Sequence, residues 1–192
     1  MNFNYNNGYC KRIFLSSKRS QVWVETAIYT LIGLTIIAII LSAAVPQIDK
    51  TKDKGVIKQT ITALDILNDK IIETEQSPGS IRIVNFRMSK GRLEINSKNN
   101  TLIYILEDTR FELSQPGEEI AEGNVIIRTE EHGSRFNVFL KMDYNSRLNI
   151  TYSGEDNKNM VLHPGTTPYR IQVENIGDQN SNDNTHIDLD LL

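Results

Sequence analysis

The sequence predicts an α+β protein in which one long amino-terminal helix precedes an all-β, sandwich-like domain. Three observations lead to this fold class: residues 27–45 carry no charge, a helical stripe of apolar residues follows them, and beyond residue 79 apolar and polar residues alternate. The predicted divisions are a basic leader (1–20), a transmembrane helix (21–45), an amphipathic helix with a linker (46–79) and an extracytoplasmic β domain (80–192).

The uncharged run is expected to cross a membrane. Its nineteen residues, AIYTLIGLTIIAIILSAAV, span about 29 Å as a helix, close to the roughly 30 Å of a hydrocarbon core. A helix in a soluble core usually carries a polar stripe, which this run lacks. Residues 1–20 contain no acid and four basic residues, Lys11, Arg12, Lys18 and Arg19. The positive-inside rule therefore predicts a single-pass protein with a cytoplasmic amino terminus and an extracellular carboxyl-terminal domain.

The stem beyond the membrane is expected to stay helical. Pro46 should bend the helix at its exit, and the charged stretch 49–55 should be solvated. The next apolar residues recur every three or four positions and are predicted to pack on the following domain: Ile57, Ile61, Leu64, Leu67 and Ile71. Ser77, Pro78 and Gly79 should end the helix.

The remaining residues are predicted to form short strands. Strict alternation occurs in three segments and again at the end of the chain: 136–142, 148–152, 169–173 and 187–191. Residues 102–106 are apolar without a break, so this strand should be buried on both faces. Turn residues recur between the segments, which favours a sandwich or barrel over a parallel sheet. The segment 187–191 is expected to return beside the strand at 169–174.

The junction between the basic arm and the apolar run resembles a known signal. The string KRSQVWVET from Lys18 to Thr26 places a basic pair and a small residue, Ser20, directly before the hydrophobic helix. It resembles the prepilin (class III) signals of archaeal type IV pilins, whose short apolar opening also ends in a Glu, here Glu25. The resemblance covers residues 18–46. It departs from the usual pattern at Ser20, where Gly or Ala is more frequent, and at the bulky Trp23.

The resemblance implies processing and assembly. A prepilin-type peptidase would cut between Ser20 and Gln21, and the chain would then assemble with copies of itself or with related pilins through its hydrophobic helix. The α-ammonium of Gln21 would neutralise Glu25 of a neighbouring subunit, because a charge in a low-dielectric bundle needs a close counter-charge. The implied function is that of a structural subunit of a surface filament.

Other interpretations of the amino-terminal region stay open. Glu25 can snorkel into the lipid headgroups without a protein partner. Ser42, Ala43 and Ala44 have the small-residue spacing of a secretory cleavage site, which would make Val45 the first residue. An uncleaved signal anchor is a third possibility. With an uncleaved anchor, the protein would be a monomeric signal-anchored surface receptor or adhesin whose β domain binds a ligand.

Chemistry-bearing motifs are scarce. The net charge of −3 opposes a nucleic-acid partner, and the single cysteine, Cys10, excludes a disulfide scaffold or a cysteine-rich metal site. The three histidines are scattered, and residues 178–189 begin like a calcium loop but lack its glycine and its final glutamate. We therefore expect no cofactor, no metal and no enzymatic activity. Two sequons, at Asn99 and Asn149, are candidate glycosylation sites.

Overall fold

The computed structural model describes residues 18–177 and 184–192, with side chains from residue 22 onward. The chain divides into two compact units, Met1–Val45 and Pro46–Leu192. The first unit includes the apolar half of a long helix, and the second contains the rest of that helix and two β-sheets. The predicted α+β class is confirmed.

The helix α1 (Lys18–Glu75) contains 58 residues and continues through Pro46. Its second half is amphipathic as predicted, because apolar residues three or four positions apart share one face. Four of the five stripe residues are completely buried and Ile61 is 8% exposed. The helix ends at Glu75, and Gly79 closes the following turn with a φ of +77°, a conformation that favours glycine.

Ten strands follow the helix in the described residues. They are β1 (Ile81–Phe86), β2 (Arg92–Asn96), β3 (Thr101–Thr109), β4 (Glu119–Glu122), β5 (Val125–His132), β6 (Arg135–Asp143), β7 (Leu148–Tyr152), β8 (Asn159–Leu162), β9 (Tyr169–Gly177) and β10 (Thr185–Leu191). A 3-10 turn, Ser97–Asn99, connects β2 to β3. All four segments with strict alternation are strands, as predicted.

The strands form two sheets, ordered β1-β9-β10-β7 and β4-β5-β6-β3-β2-β8. Strand β10 lies beside β9 as expected, with Leu189 opposite Val173 and Leu191 opposite Ile171. Its other neighbour is β7, and this pair is parallel, with Ile187 opposite Ile150. Every other pair in the two sheets is antiparallel. The sequence predicts the antiparallel character of the sheets but not the parallel pair.

One continuous apolar core joins the helix stripe to the inward faces of both sheets. Strand β3 contributes Leu102, Tyr104 and Leu106 to this core, each with no exposed surface. On the opposite face of β3, Ile105 is 6% exposed, whereas Ile103 is only half-buried. The prediction that β3 is buried on both faces is therefore correct for Ile105 and wrong for Ile103.

Polar contacts fasten the end of the helix to the sheets. The Asn175 side chain donates hydrogen bonds to the carbonyls of Thr74 and Glu75, at 2.9 and 3.0 Å. These carbonyls belong to the last helical turn and have no partner within the helix. The Tyr144 hydroxyl donates to Asn68 Oδ1 at 3.0 Å, and burial raises the pKa of this tyrosine well above its usual range.

Candidate functional site

The apolar half of α1 has a wholly exposed apolar surface in this structure. The most hydrophobic stretch of the helix is 0% buried, and Trp23 near its start is 81% exposed. A monomeric soluble protein rarely exposes a continuous apolar patch of this kind. In the part of the chain that the structure describes, this one helix is long and apolar enough to cross a membrane.

The threonine and serine hydroxyls in this segment bond to the backbone of the helix itself. Each donates to a carbonyl three or four residues earlier, at 2.7 to 3.0 Å: Thr26, Thr30, Thr35 and Ser42. Such bonds leave no hydroxyl donor to be satisfied by water, which is the requirement for a segment in lipid. Hydroxyl residues in the run are therefore compatible with a membrane-spanning helix.

Glu25 is the only charged residue between positions 22 and 48. It lies on the exposed surface of the helix, and the Tyr29 hydroxyl one turn later donates to its Oε1 at 3.3 Å. A tyrosine hydroxyl is a neutral donor, so this contact does not neutralise the carboxylate. Ser20 and Gln21, on either side of the predicted cut, lie in the first turns of α1, and their side chains are outside the described residues.

The charged stretch after Pro46 contains one buried acid that the sequence does not reveal. Asp53 is 6% exposed, which corrects the expectation that residues 49–55 are all solvated. Its Oδ1 accepts from Lys90 Nζ at 2.8 Å, and its Oδ2 accepts from the backbone N–H of Arg110 at 2.9 Å. Burial alone would raise the pKa of Asp53, but these hydrogen bonds outweigh it and hold the pKa below its ordinary value.

A small concavity lies beside the first helical turns of the second unit. Its volume is about 460 Å³, and three of its six lining residues are cationic while none is acidic. We call it the basic cup: Pro46, Gln47, Lys50, Arg110, Ser134 and Arg135. The head-side lining comes from the end of β3 and from the turn between β5 and β6.

A larger concavity of about 630 Å³ lies on the outer face of the six-stranded sheet. Its floor includes three half-buried apolar residues from β3, β5 and β6: Ile103, Ile126 and Phe139. Charged residues of both signs surround them, among them Arg128, Lys141 and Glu130. An apolar floor with a polar rim is the usual composition of a binding surface.

The three histidines do not form a site with one another. His132 is exposed at the end of β5, and His163 is exposed in the loop after β8. His186 is buried in β10, where its Nε2 lies 2.9 Å from the hydroxyl of Thr151, which in turn donates to Asp188 at 2.6 Å. Because Asp188 bonds to the hydroxyl rather than to the imidazole, this is not the geometry of a hydrolytic triad.

Acidic and histidine side chains are scattered over the described part of the chain. Within it, no group of three or more His, Cys, Asp or Glu side chains is arranged to hold an ion. The calcium-like start at Asp178 belongs to residues 178–183, which lie outside the described part of the chain.

The two sequons have different surroundings. Asn99 is exposed at the end of the 3-10 turn. Asn149 is half-buried within β7, and its Nδ2 donates to Asp156 Oδ1 at 3.0 Å. The amide nitrogen that would carry a glycan is thus accessible at Asn99 and engaged at Asn149.

Comparisons with known proteins add no relative. No protein-family model matches the chain, and no curated protein or solved structure is significantly similar to it.

Proposed function

We propose that this protein is a structural subunit of a type IV pilus-like surface filament. The observation that carries the proposal is the exposed apolar helix with one carboxylate near its start, joined to a head that has its own core. Such a helix needs an apolar environment, which either lipid or other helices provide. In the membrane the subunit is anchored by this helix, and in a filament the same surface packs against other subunits.

Glu25 distinguishes assembly from simple anchoring. A carboxylate on a lipid-facing helix costs about 2.5 kcal/mol or more at the centre and less near the interface, so an anchor gains nothing from it. Its contact with the Tyr29 hydroxyl does not remove the charge. The counter-charge in our proposal is the α-ammonium of Gln21 from an adjoining subunit, which a prepilin-type peptidase creates by cleaving after Ser20.

A second candidate function rests on the outer face of the six-stranded sheet. The concavity there, with Ile103, Ile126 and Phe139 at its floor, fits a ligand-binding head. On this interpretation the protein is a monomeric, signal-anchored receptor or adhesin. It requires neither cleavage after Ser20 nor any role for Glu25 in assembly.

The mature amino terminus separates these candidates. Cleavage after Ser20 removes 20 of the 192 residues, leaving a 172-residue chain that begins at Gln21 and lacks Cys10. Intact-mass measurement and amino-terminal sequencing of membrane-derived protein decide between the models. A chain that starts at Met1 or at Val45 would contradict the filament proposal.

Substitution of Glu25 tests assembly directly. Glu25→Gln keeps the size and removes the charge, so we expect membrane insertion and cleavage to persist while incorporation into sheared filaments falls by about tenfold or more. Tyr29→Phe is the matched control, because it removes the hydrogen bond to Glu25 and keeps the carboxylate. Equal assembly of Glu25→Gln and wild type would favour the receptor candidate.

A further inference from the structure

Three residues of the basic cup follow the apolar run closely in the sequence. Pro46, Gln47 and Lys50 come one, two and five residues after Val45. Each headgroup layer of a bilayer is roughly 5–7 Å thick. If Val45 marks the end of the hydrocarbon core, residues that follow it so closely in the chain are expected in the headgroup layer, which contains the lipid phosphates.

The fold holds the arginines of the cup in place. Arg110 follows the end of β3, where the buried Asp53 accepts its backbone N–H, and Asp49 Oδ2 lies 3.7 Å from its guanidinium. Asp108 occupies a left-handed conformation, with a φ of +56°, at an irregularity in the pairing of β3 with β6. Its carbonyl accepts from Arg135 at 3.1 Å, and its carboxylate lies 3.3 Å from Arg135 Nε.

The charge of the cup is opposite to that of the rest of the head. Residues 46–192 contain 17 basic and 23 acidic residues, a net charge of −6. The cup nevertheless presents three cations, and the two nearby acids, Asp49 and Asp108, each contact only one of its arginines. Guanidinium groups bind phosphate oxygens through paired hydrogen bonds, and lysine adds a point charge.

We propose that the basic cup binds the phosphate of an anionic lipid headgroup, in the leaflet on the side of the head. The proposal rests on the membrane-spanning role of α1 given above. The bound lipid would fasten the acidic head to the membrane surface and fix where the helix leaves the bilayer. Extraction of the subunit from the membrane into a filament would have to break this contact.

The test uses the full chain in nanodiscs that contain phosphatidylcholine mixed with phosphatidylglycerol. Native mass spectrometry measures which lipid stays bound after release from the nanodisc, and we expect phosphatidylglycerol to be enriched. In the double variant Lys50→Gln/Arg135→Gln the enrichment should fall roughly 5- to 25-fold, because each basic residue near an anionic surface contributes about fivefold. Lys50→Arg/Arg135→Lys keeps both charges and should retain most of the enrichment.

A matched control removes two charges elsewhere on the head. Arg87→Gln/Arg170→Gln removes two exposed cations that line neither concavity and should leave lipid selection unchanged. Equal enrichment in wild type and the cup variant, or an equal loss in the control, would overturn the proposal. Binding of inorganic phosphate in detergent without lipid selection in nanodiscs would also overturn it. Failure of the chain to insert into nanodiscs would instead contradict the membrane role of α1.

Discussion

Asp53 joins the helix to two separate parts of the head through one carboxylate. The contact of Asp53 with Lys90 depends on the next residue, Gly91, which has a φ of +79°. A Cβ at Gly91 would lie 2.6 Å from both Tyr104 Oη and the carbonyl oxygen of Ile105. A glycine is therefore required for the chain to pass Tyr104 and bring Lys90 to Asp53. The Tyr104 hydroxyl donates to the Lys90 carbonyl and so keeps the backbone of Lys90 close to Tyr104.

Replacing Asp53 should destabilise the head. Asp53→Ala leaves the backbone N–H of Arg110 without its acceptor, so we expect the free energy of unfolding to fall by about 2–3 kcal/mol. Asp49→Ala removes only a more exposed ion pair, at 3.7 Å, and should cost less than about 1 kcal/mol. Urea titration of the detergent-solubilised chain measures both. Equal losses would show that the Asp53 contacts add nothing beyond surface charge.

The ionisation of Asp53 should account for part of the loss of stability of the head at low pH. The pKa of Asp53 is lower in the folded state than its ordinary value, so its contribution is fully present above about pH 4. It is lost as the pH falls through the folded-state pKa. Stability measured from pH 6 down to pH 2 should therefore decline less steeply in Asp53→Ala than in wild type. Parallel curves would contradict the assigned pKa direction.

Glycosylation, where the host provides it, should occur at one sequon only. The Asn99 amide is exposed, whereas that of Asn149 donates to Asp156 within the sheet. We expect Asn99→Gln to remove a glycan mass from protein isolated from its native membrane, and Asn149→Gln to leave the mass of the glycan unchanged. Modification at Asn149 would mean that the transfer precedes folding of β7.

At the scale of elements, the second half of α1 acts as part of the core of the head. Leu67 is completely buried, while its neighbour Ile66 is 50% exposed. This pair offers a test in which both changes remove a similar side chain from the same helical turn. Only the buried side chain loses packing contacts and leaves a cavity.

Leu67→Ala should lower the free energy of unfolding by about 3–5 kcal/mol, the cost of an unfilled core cavity. Ile66→Ala should change it by less than about 1 kcal/mol. Urea unfolding is followed by far-UV circular dichroism. Tryptophan fluorescence is unsuitable because the single tryptophan, Trp23, lies outside the head. A small effect of Leu67→Ala would mean that the helix packs only loosely on the sheets.

Periodicity explains which elements the sequence predicts. The stripe from Ile57 to Ile71 and the alternating strands are local patterns, and each is read within about fifteen residues. The parallel pairing of β7 with β10 depends on partners 37 positions apart, such as Thr151 and Asp188, and no local pattern records it. The burial of Asp53 cannot be predicted for the same reason, since its partners Lys90 and Arg110 are 37 and 57 residues away.

The same distinction between local patterns and distant contacts applies to the candidate site. The apolar run and Glu25 are recognisable from the sequence because hydropathy and charge are properties of consecutive residues. The basic cup is not recognisable, since it combines Lys50 on the helix with Arg110 just after β3 and Arg135 at the start of β6. Only the folded sheet brings these three cations together.

At the scale of the whole molecule, charge is distributed unevenly along the chain. Residues 1–20 carry four basic and no acidic residues, whereas residues 46–192 have a net charge of −6. Three lysines, at positions 50, 52 and 54, follow the apolar run, and Asp49 and Asp53 in the same stretch offset two of their charges. The purely basic arm therefore favours a cytoplasmic amino terminus and an extracellular head.

Cysteine labelling tests this orientation. Ser146 is exposed between β6 and β7, so a membrane-impermeant maleimide should label Ser146→Cys on intact cells in a Cys10→Ser background. In the uncleaved wild-type chain, Cys10 should be labelled only after the cells are permeabilised. Labelling in the reverse pattern would place the head in the cytoplasm and contradict a surface role.

The contacts of Asn175 have a mechanical consequence. A pull on α1 first loads the packing of its buried stripe. Any load that reaches the end of the helix passes through the turn at residues 76–80, where the Gly79 N–H bonds to the Asn175 carbonyl at 2.9 Å and the Asn175 N–H bonds to the Ser80 carbonyl at 3.0 Å. With the side-chain bonds to Thr74 and Glu75, four hydrogen bonds tie this junction to β9, an inner strand of its sheet. Tension at this turn is thereby shared among several bonds to an inner strand, instead of peeling β1 from the edge of the sheet one bond at a time.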